Sequence, residues 1–370
     1  MKKAGLFLSV GDPSGDNAAG RLIEALNKIA PGTEIFGLGG ERLKALGQRQ
    51  LARGSDLAVL GFWEVARRFS FFRRLMNQCV AEIADKRPAA VVLVDYPGFN
   101  LRLAKRIKKL GIPIIYYISP QVWAWGKKRL ADISELVDLM IVILPFEKDL
   151  YDRHKIKNEF VGHYLLEDIP EKYIQSGVPD TAKDVLALLP GSRPQEIQRM
   201  LAPMLASARI FNKNHGTRAV VAGLEGVYDY ESTLRSFADD NISIVYNDPR
   251  RVIYDSRLVL TASGTATLEA GIIGRPMVVI YKTGFITYQI ARRLVKLDTI
   301  GLVNLVLGEK VVPELIQREA NPQRIAAELD KFIMQKSYCD EVTNRLGRLP
   351  DILGGKGASE RTARLLGEYL

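Results

Sequence analysis

The chain has 370 residues, 47% apolar and 25% charged, a length and balance that predict two domains of an ordinary globular enzyme. Two cysteines, Cys79 and Cys339, exclude a disulfide framework or a thiolate zinc site, and three scattered histidines (His154, His163 and His215) exclude a histidine metal cluster, so a reduced cytoplasmic compartment is expected. The formal net charge of +10 points to an anionic partner (a phosphorylated substrate, nucleic acid or an acidic membrane surface), with a merely basic enzyme surface as the alternative.

Lys2 and Lys3 precede the apolar run Leu6–Val10, which imitates a signal peptide. The run is too short and passes directly into Gly11-Asp12-Pro13-Ser14-Gly15-Asp16, so it reads as a first buried strand. No apolar stretch reaches the roughly 18 residues of a spanning helix. Residues 20–29 place Leu22, Ile23, Leu26 and Ile29 at helical spacing, and 34–38 form the second strand. Residues 62–76 repeat aromatic and apolar groups at helical spacing. The run 89–94 is continuously apolar and ends at Asp95, as in a strand buried on both faces. A basic helix over 101–110 stops at Gly111-Ile112-Pro113, and strands follow at 114–118 and 139–144. The pattern restarts with strands at 185–189, 218–222, 242–246, 258–262 and 277–281.

This alternation predicts an α/β chain of two doubly wound parallel-sheet domains. The first covers 1–168 and the second 180–345, with a Pro-, Gly- and charge-rich linker inside 167–184. A helical segment, 346–370, is expected to pack back on the first domain. Ligands of open parallel sheets bind beyond the carboxyl ends of the strands, and two such domains facing across a cleft suit a reaction that joins two substrates.

The strand ends therefore carry the candidate chemistry. The turn 263–267 links a strand to a helix through Ser263, Gly264, Thr265, Ala266 and Thr267, with Glu269 about one turn on. Helix-start N–H groups and the dipole suit a phosphate, and Glu269 suits a ribose hydroxyl; an ordinary capped helix is the alternative. Gly191, Ser192 and Arg193 end another strand, where Arg193 can meet a diphosphate bidentately or simply pair with Glu196. In the first loop, Ser14 and Asp16 are either ligand contacts or helix-capping groups; the loop lacks a dinucleotide fingerprint and a Walker lysine. Asp95, desolvated at a buried strand end, suits a general base with a raised pKa or else caps the following helix, with Asp12 and Asp16 as the other candidate bases and Asn100 orienting the loop or a substrate.

Gln121, Trp123 and Trp125 stand before Lys127-Lys128-Arg129, as a sugar or acyl wall beside a basic run or as core beside a solvated face. On the helix at 62–76, Trp63, Arg67, Phe71 and Arg74 form a second stripe that mixes aromatics with arginines, the chemistry of a membrane-surface contact. No helix-turn-helix, zinc-finger or RNA-binding signature accompanies it, so no nucleic acid is expected. Asn304 and Gln317 are polar groups in apolar surroundings, either ligand contacts or satisfied buried amides.

Taken in order, the stretches 11–16, 95–100, 119–125, 144–147, 162–163, 188–193, 263–269 and 292–296 with Asn304 resemble the lipid-A-disaccharide synthases, and Ser119-Pro120-Gln121-Val122-Trp123-Ala124-Trp125 is the most distinctive. Two positions depart from the expected pattern: Asp12 stands where Glu is expected, and Val303 where Pro is expected. The resemblance implies a GT-B fold. It implies inverting, metal-independent and cofactor-free transfer of 2,3-diacylglucosamine from UDP to 2,3-diacylglucosamine 1-phosphate, giving a β(1→6) disaccharide phosphate and UDP. It places the enzyme on the cytoplasmic face of the bacterial inner membrane and leaves a homodimer open. Asp95 would be the base, Arg193 and 263–267 would hold the departing UDP, and Glu269 the ribose. The rivals are another GT-B UDP-GlcNAc enzyme, such as a 2-epimerase or the peptidoglycan glucosaminyltransferase, and a non-enzymatic basic membrane-binding protein.

Overall fold

A computed structural model describes residues 5–52, 69–122, 127–175, 177–237, 239, 241–284 and 299–370. The chain forms two compact units, Met1–Tyr164 with Gly354–Leu370, and Leu165–Leu353.

Among the described residues, the first unit holds strands β1 (Leu6–Val10), β2 (Ile35–Leu38), β3 (Arg49–Ala52), β4 (Ala90–Val94), β5 (Ile114–Tyr117), β6 (Leu139–Val142) and β7 (Asn158–Phe160). All pair in parallel, in the order β3-β2-β1-β4-β5-β6-β7. β1, β2, β4, β5 and β6 are buried along their whole length, which is why they read as unbroken apolar runs. One apolar core joins Phe7, Phe36 and Leu93 to Leu75, Cys79 and Ile83 of the helix Phe69–Lys86 and to Leu103 and Ile107 of the helix Pro97–Ile107. The helix Pro13–Ile29 packs against the C-terminal helix Ala358–Gly367. It begins earlier than its Leu/Ile spacing indicates, because Pro13 sits at the helix start and the Asp12 carboxylate accepts from Gly15 N–H at 2.6 Å.

The second unit repeats the design with β8 (Val185–Leu189), β9 (Arg218–Gly223), β10 (Ile242–Tyr246), β11 (Leu258–Ala262), β12 (Met277–Tyr281) and β13 (Glu314–Ile316). Their order is β10-β9-β8-β11-β12-β13, again all parallel. In both sheets the chain steps outward in one direction, returns to the first strand and continues in the other. β3, β7 and β13 lie at sheet edges and have no clear signal in the sequence, since three or four residues with charged or polar members give no usable periodicity.

The stretch expected to be a linker is part of the second unit. The Asp168 carbonyl accepts from Arg250, and Gln175 donates to the Gly271 and Ile272 carbonyls at a helix end. The segment expected over 346–370 divides at Gly354: Leu346, Leu349 and Leu353 are buried in the second unit, whereas Ala358, Ala363 and Leu366 are buried in the first. Arg361 fastens the latter part, donating to the Val161, Lys356 and Gly354 carbonyls at 2.8–2.9 Å. Among the described residues, no helix is long and apolar enough to cross a membrane.

The packing of the C-terminal helix on Pro13–Ile29 carries a stability consequence. A chain ending at Leu353 loses roughly 3–5 kcal/mol in the first unit, from the bared Leu366, Ala358 and Ala363 sites and the surface they cover. Calorimetry should show the first unit's transition lowered and the second unit's in place; two unchanged transitions would contradict this division of the chain.

Candidate active site

Several of the sequence-predicted site residues, among them Asp95, Asn100, Arg193 and Ser263, lie where the strand order reverses. In the first unit, β1 and β4 lie side by side with Val10 opposite Val94. The loop from Gly11 to Asp16 leaves one and the turn from Asp95 to Asn100 leaves the other. A crevice at such a reversal is where an open parallel sheet receives ligand, because the loops depart to opposite faces.

Asp95 and Tyr96 both take left-handed backbone angles, with φ of 41° and 49°. Two consecutive non-glycine residues in that region cost of order 1–3 kcal/mol each and persist only when neighbours hold them. Asn100, wholly buried, donates to the carbonyls of Asp95 (2.7 Å), Val94 (3.2 Å) and Ser9 (3.2 Å), and accepts from the Ser9 hydroxyl at 2.6 Å. Its amide thus orients the loop. The Tyr116 hydroxyl donates to the Asp95 carbonyl at 2.6 Å. Gly11 is required beneath this turn, since a Cβ there would stand 2.3 Å from the Tyr96 ring.

Burial, and then repulsion from the Asp12 carboxylate, lift the Asp95 carboxyl to about 6, against the opposing pull of the Tyr96 N–H. A carboxyl with that affinity exchanges protons near neutrality, as a general base must. Asp16 has a different occupation. Its buried carboxylate accepts from the backbone N–H groups of Gly40 (2.8 Å), Arg42 (2.9 Å) and Leu43 (3.4 Å), at the start of the short helix Glu41–Ala45. The Ser14 hydroxyl donates to Asp12 at 3.0 Å. Gln121 is exposed after β5, and Ser119 nearby is buried against the Tyr151 hydroxyl at 2.6 Å.

In the second unit the reversal lies between β8 and β11, with Leu189 opposite Thr261. Gly191, Ser192 and Arg193 therefore stand at the strand end beside Ser263 and Gly264. Gly264 adopts φ 154° and ψ −162°, a conformation essentially reserved for glycine, and the space where its Cβ would project is open. Thr265 and Ala266 begin the helix Thr265–Ile273, whose first-turn N–H groups face the strand end. Arg193 is largely exposed and pairs with Glu196 at 3.1 Å, leaving most of the guanidinium in solvent.

Two of the polar groups here build the turn. Ser263 donates to the Ile300 carbonyl at 2.9 Å, and Thr267 donates to the Gly264 carbonyl at 2.8 Å and accepts from Val303 N–H at 3.3 Å. Asn304, expected as a ligand contact, is a satisfied buried amide: it accepts from Val311 and Val312 N–H and donates to the Val312 carbonyl and Glu314. Gln317 likewise bonds both backbone groups of Thr283. Glu269 is tied through one oxygen to Arg250 Nε at 2.8 Å, and Arg250 also holds the carbonyl and carboxylate of Asp168. Burial raises the Glu269 pKa and Arg250 opposes that rise, so the carboxylate is held in a fixed position by a half-buried cation.

Arg250 and Glu314 were missed in the sequence, although each carried a signal. Arg250 follows Asn247-Asp248-Pro249 at a strand end, and Glu314 is a lone acid in an apolar edge segment. Glu314 accepts from Ile300, Gly301 and Asn304, so one carboxylate clasps the loop on which Ser263 rests. Of the expected membrane stripe, Trp63 and Arg67 lie outside the described residues, as do Trp123, Trp125 and 292–296. Phe71 packs partly against the first unit's core, edge-on to Phe72, whereas Arg73 and Arg74 are exposed. The buried face of that helix claims Phe71 because the core stripe is wider than the spacing alone implied.

Comparison with known proteins places this geometry in a family. The model of lipid-A-disaccharide synthetase matches residues 6–347. The chain is 38% identical to a lipid-A-disaccharide synthase of Anaeromyxobacter dehalogenans over 97% of its length and 95% of the relative's. It is 40% identical to one from Syntrophus aciditrophicus, over 97% and 96%. Among solved structures it resembles a putative UDP-N-acetylglucosamine 2-epimerase of Listeria monocytogenes (TM-score 0.67, 13% identity, 99% and 95% of the two chains covered). It also resembles a spinosyn rhamnosyltransferase complexed with thymidine diphosphate (TM-score 0.60, 16% identity, 98% and 99% covered). At such identities these two likenesses establish the fold alone, two Rossmann-like sheets of the GT-B class, while the sequence relatives establish the lineage. The chain belongs to the lipid-A-disaccharide synthetase family of glycosyltransferases.

Proposed function

We propose that the chain joins UDP-2,3-diacylglucosamine to 2,3-diacylglucosamine 1-phosphate, forming the β(1→6) disaccharide 1-phosphate and releasing UDP. The observation that carries this reading is the strained, half-buried Asp95 carboxyl at the β1/β4 reversal, tuned to about 6, in a chain of this family. Asp95 takes the proton of the acceptor 6-hydroxyl as that oxygen bonds to the donor C1. The bond from C1 to the diphosphate oxygen breaks on the opposite face, and its electron pair leaves with UDP. Attack opposite the leaving group inverts the anomeric centre.

The departing diphosphate is assigned to Gly264, Thr265, Ala266 and the Gly191-Ser192-Arg193 turn. Helix-start N–H groups and a guanidinium stabilise charge that grows as the bond breaks. Glu269, steadied by Arg250, is assigned to the ribose hydroxyls. Asp16, with its carboxylate spent on three backbone N–H groups, is assigned to loop structure. The exposed Arg73 and Arg74 are assigned to an anionic membrane surface, in keeping with a proposed peripheral location at the cytoplasmic face of the inner membrane. Incubation of the purified chain with both lipid substrates tests the whole reading: disaccharide phosphate and UDP should appear in equal amounts, and UDP without disaccharide would overturn it.

Asp95→Asn should slow transfer on the order of 10³-fold while leaving UDP affinity near that of the parent. In the parent, kcat/KM should climb with pH through about 6, as Asp95 loses its proton, and then level. Because folding raises this pKa, the native state loses stability as pH climbs from the ordinary carboxyl value of 3.8 through about 6. Asp95→Asn should therefore raise the melting temperature at pH 8, by at most about 3 kcal/mol in stability, and leave it unchanged at pH 3. A fully active Asp95→Asn enzyme would remove Asp95 from the base role.

Arg193→Ala should weaken UDP binding about tenfold and slow transfer, as read by calorimetric titration and initial rates. Unchanged UDP affinity would exclude the guanidinium from the diphosphate site. Arg73→Glu with Arg74→Glu should reduce binding to anionic vesicles by tenfold or more, at about 1 kcal/mol per basic group, while sparing binding to UDP. Undiminished vesicle sedimentation would exclude these arginines from the membrane contact.

A further inference from the structure

We infer that Tyr116, working with Ser9 and Asn100, is a positioning residue that holds the Asp95 carboxyl in its reactive place through the backbone of the strained turn. This rests on the reading of Asp95 as the base, and it concerns groups that never touch the reacting atoms.

Three neighbouring strands supply the parts. β1 brings Ser9, Asp95 directly follows β4, and β5 brings Tyr116, which lies opposite Leu93 in the sheet register. The Asp95 carbonyl accepts two hydrogen bonds, one from Tyr116 at 2.6 Å and one from Asn100 at 2.7 Å. Both donors are fully buried. Asn100 in turn has its amide orientation set by the Ser9 hydroxyl, which donates to its oxygen, leaving the amide N–H groups for the carbonyls. A carbonyl gripped at once from a strand and from a helix cannot rotate freely, and rotation of that peptide is the motion by which residues 95 and 96 would leave their left-handed angles. Burial above all keeps the Tyr116 pKa well above that of an ordinary phenol, so its hydroxyl remains a donor across the working pH range.

The consequence lies in chemistry rather than in folding alone. If the turn relaxes, the Asp95 side chain swings toward water and away from Asp12, the two conditions that raise its proton affinity. Tyr116→Phe removes one buried oxygen and keeps the ring, so the sheet stays packed. This variant should show kcat about tenfold lower, an unchanged KM for the UDP-sugar, and an acid limb of the rate profile shifted from about 6 toward the ordinary carboxyl value. A merely structural tyrosine would lower the melting temperature without moving that limb. Ser9→Ala, which releases the Asn100 amide, should give the same shift in a smaller degree and serves if Tyr116→Phe proves unstable.

An unchanged acid limb in the folded variants overturns the inference, as does a loss confined to KM. Asp95→Asn separates this outcome from failure of the base assignment. An inactive Asp95→Asn enzyme with a parental profile in Tyr116→Phe refutes the positioning role alone. An active Asp95→Asn enzyme refutes the base assignment and this inference with it.

Discussion

Parallel strands buried on both faces can offer ligand-binding groups only at their ends, because every side chain along them is committed to the core. In each unit the strand order reverses beside the first strand, at β1/β4 and at β8/β11. Open parallel sheets receive ligand at such a reversal, because adjacent strands there send their loops to opposite faces. The remaining features of the site follow from this arrangement. Asp95 and the loop from Gly11 to Asp16 meet at one reversal, while Arg193 and the turn at Gly264 meet at the other.

The two reversals are built with different materials, and the proposed roles call for different charges. The first carries carboxylates: Asp12 caps a helix, Asp16 binds three backbone N–H groups, and Asp95 stands desolvated on a turn that two buried donors hold in place. Crowding of negative charge there raises proton affinity, which suits a group that must accept a proton. The second reversal carries N–H donors and an arginine, which suits a group that must receive negative charge. The Glu269 carboxylate there is matched by Arg250. Rigidity around both sites comes from side chains bonded to neighbouring segments of the chain. Asn304 and Glu314 clasp the loop behind Ser263, as Asn100 and Ser9 brace the turn at Asp95.

Much of this was legible from residues alone, for stated reasons. Strands such as Leu6–Val10 and Ala90–Val94 announce themselves because burial on both faces permits only apolar side chains. The polar residues that follow them, Asp95, Arg193 and Ser263 among them, stand out because the run ends abruptly. Edge strands such as Asn158–Phe160 do not announce themselves, since one exposed side admits any residue. The stretch around Ile169-Pro170 had a linker's composition, yet it folds into the second unit, because backbone carbonyls and the Gln175 amide bond partners far along the chain.

Sequence by itself determined the doubly wound class, the positions of the strand ends and the candidate groups on them, because local periodicity and abrupt polarity record burial directly. Only tertiary structure decided which of those groups are spoken for. Asn304 and Asp16 carry the same chemistry as a ligand contact, but partners 7 to 27 residues away consume their hydrogen-bonding capacity. Tertiary structure also decided that Asp95 is strained, half-buried and gripped at its carbonyl by a tyrosine from the next strand. Proton affinity and available lone pairs depend on what surrounds a side chain in space, and distance along the chain does not encode that.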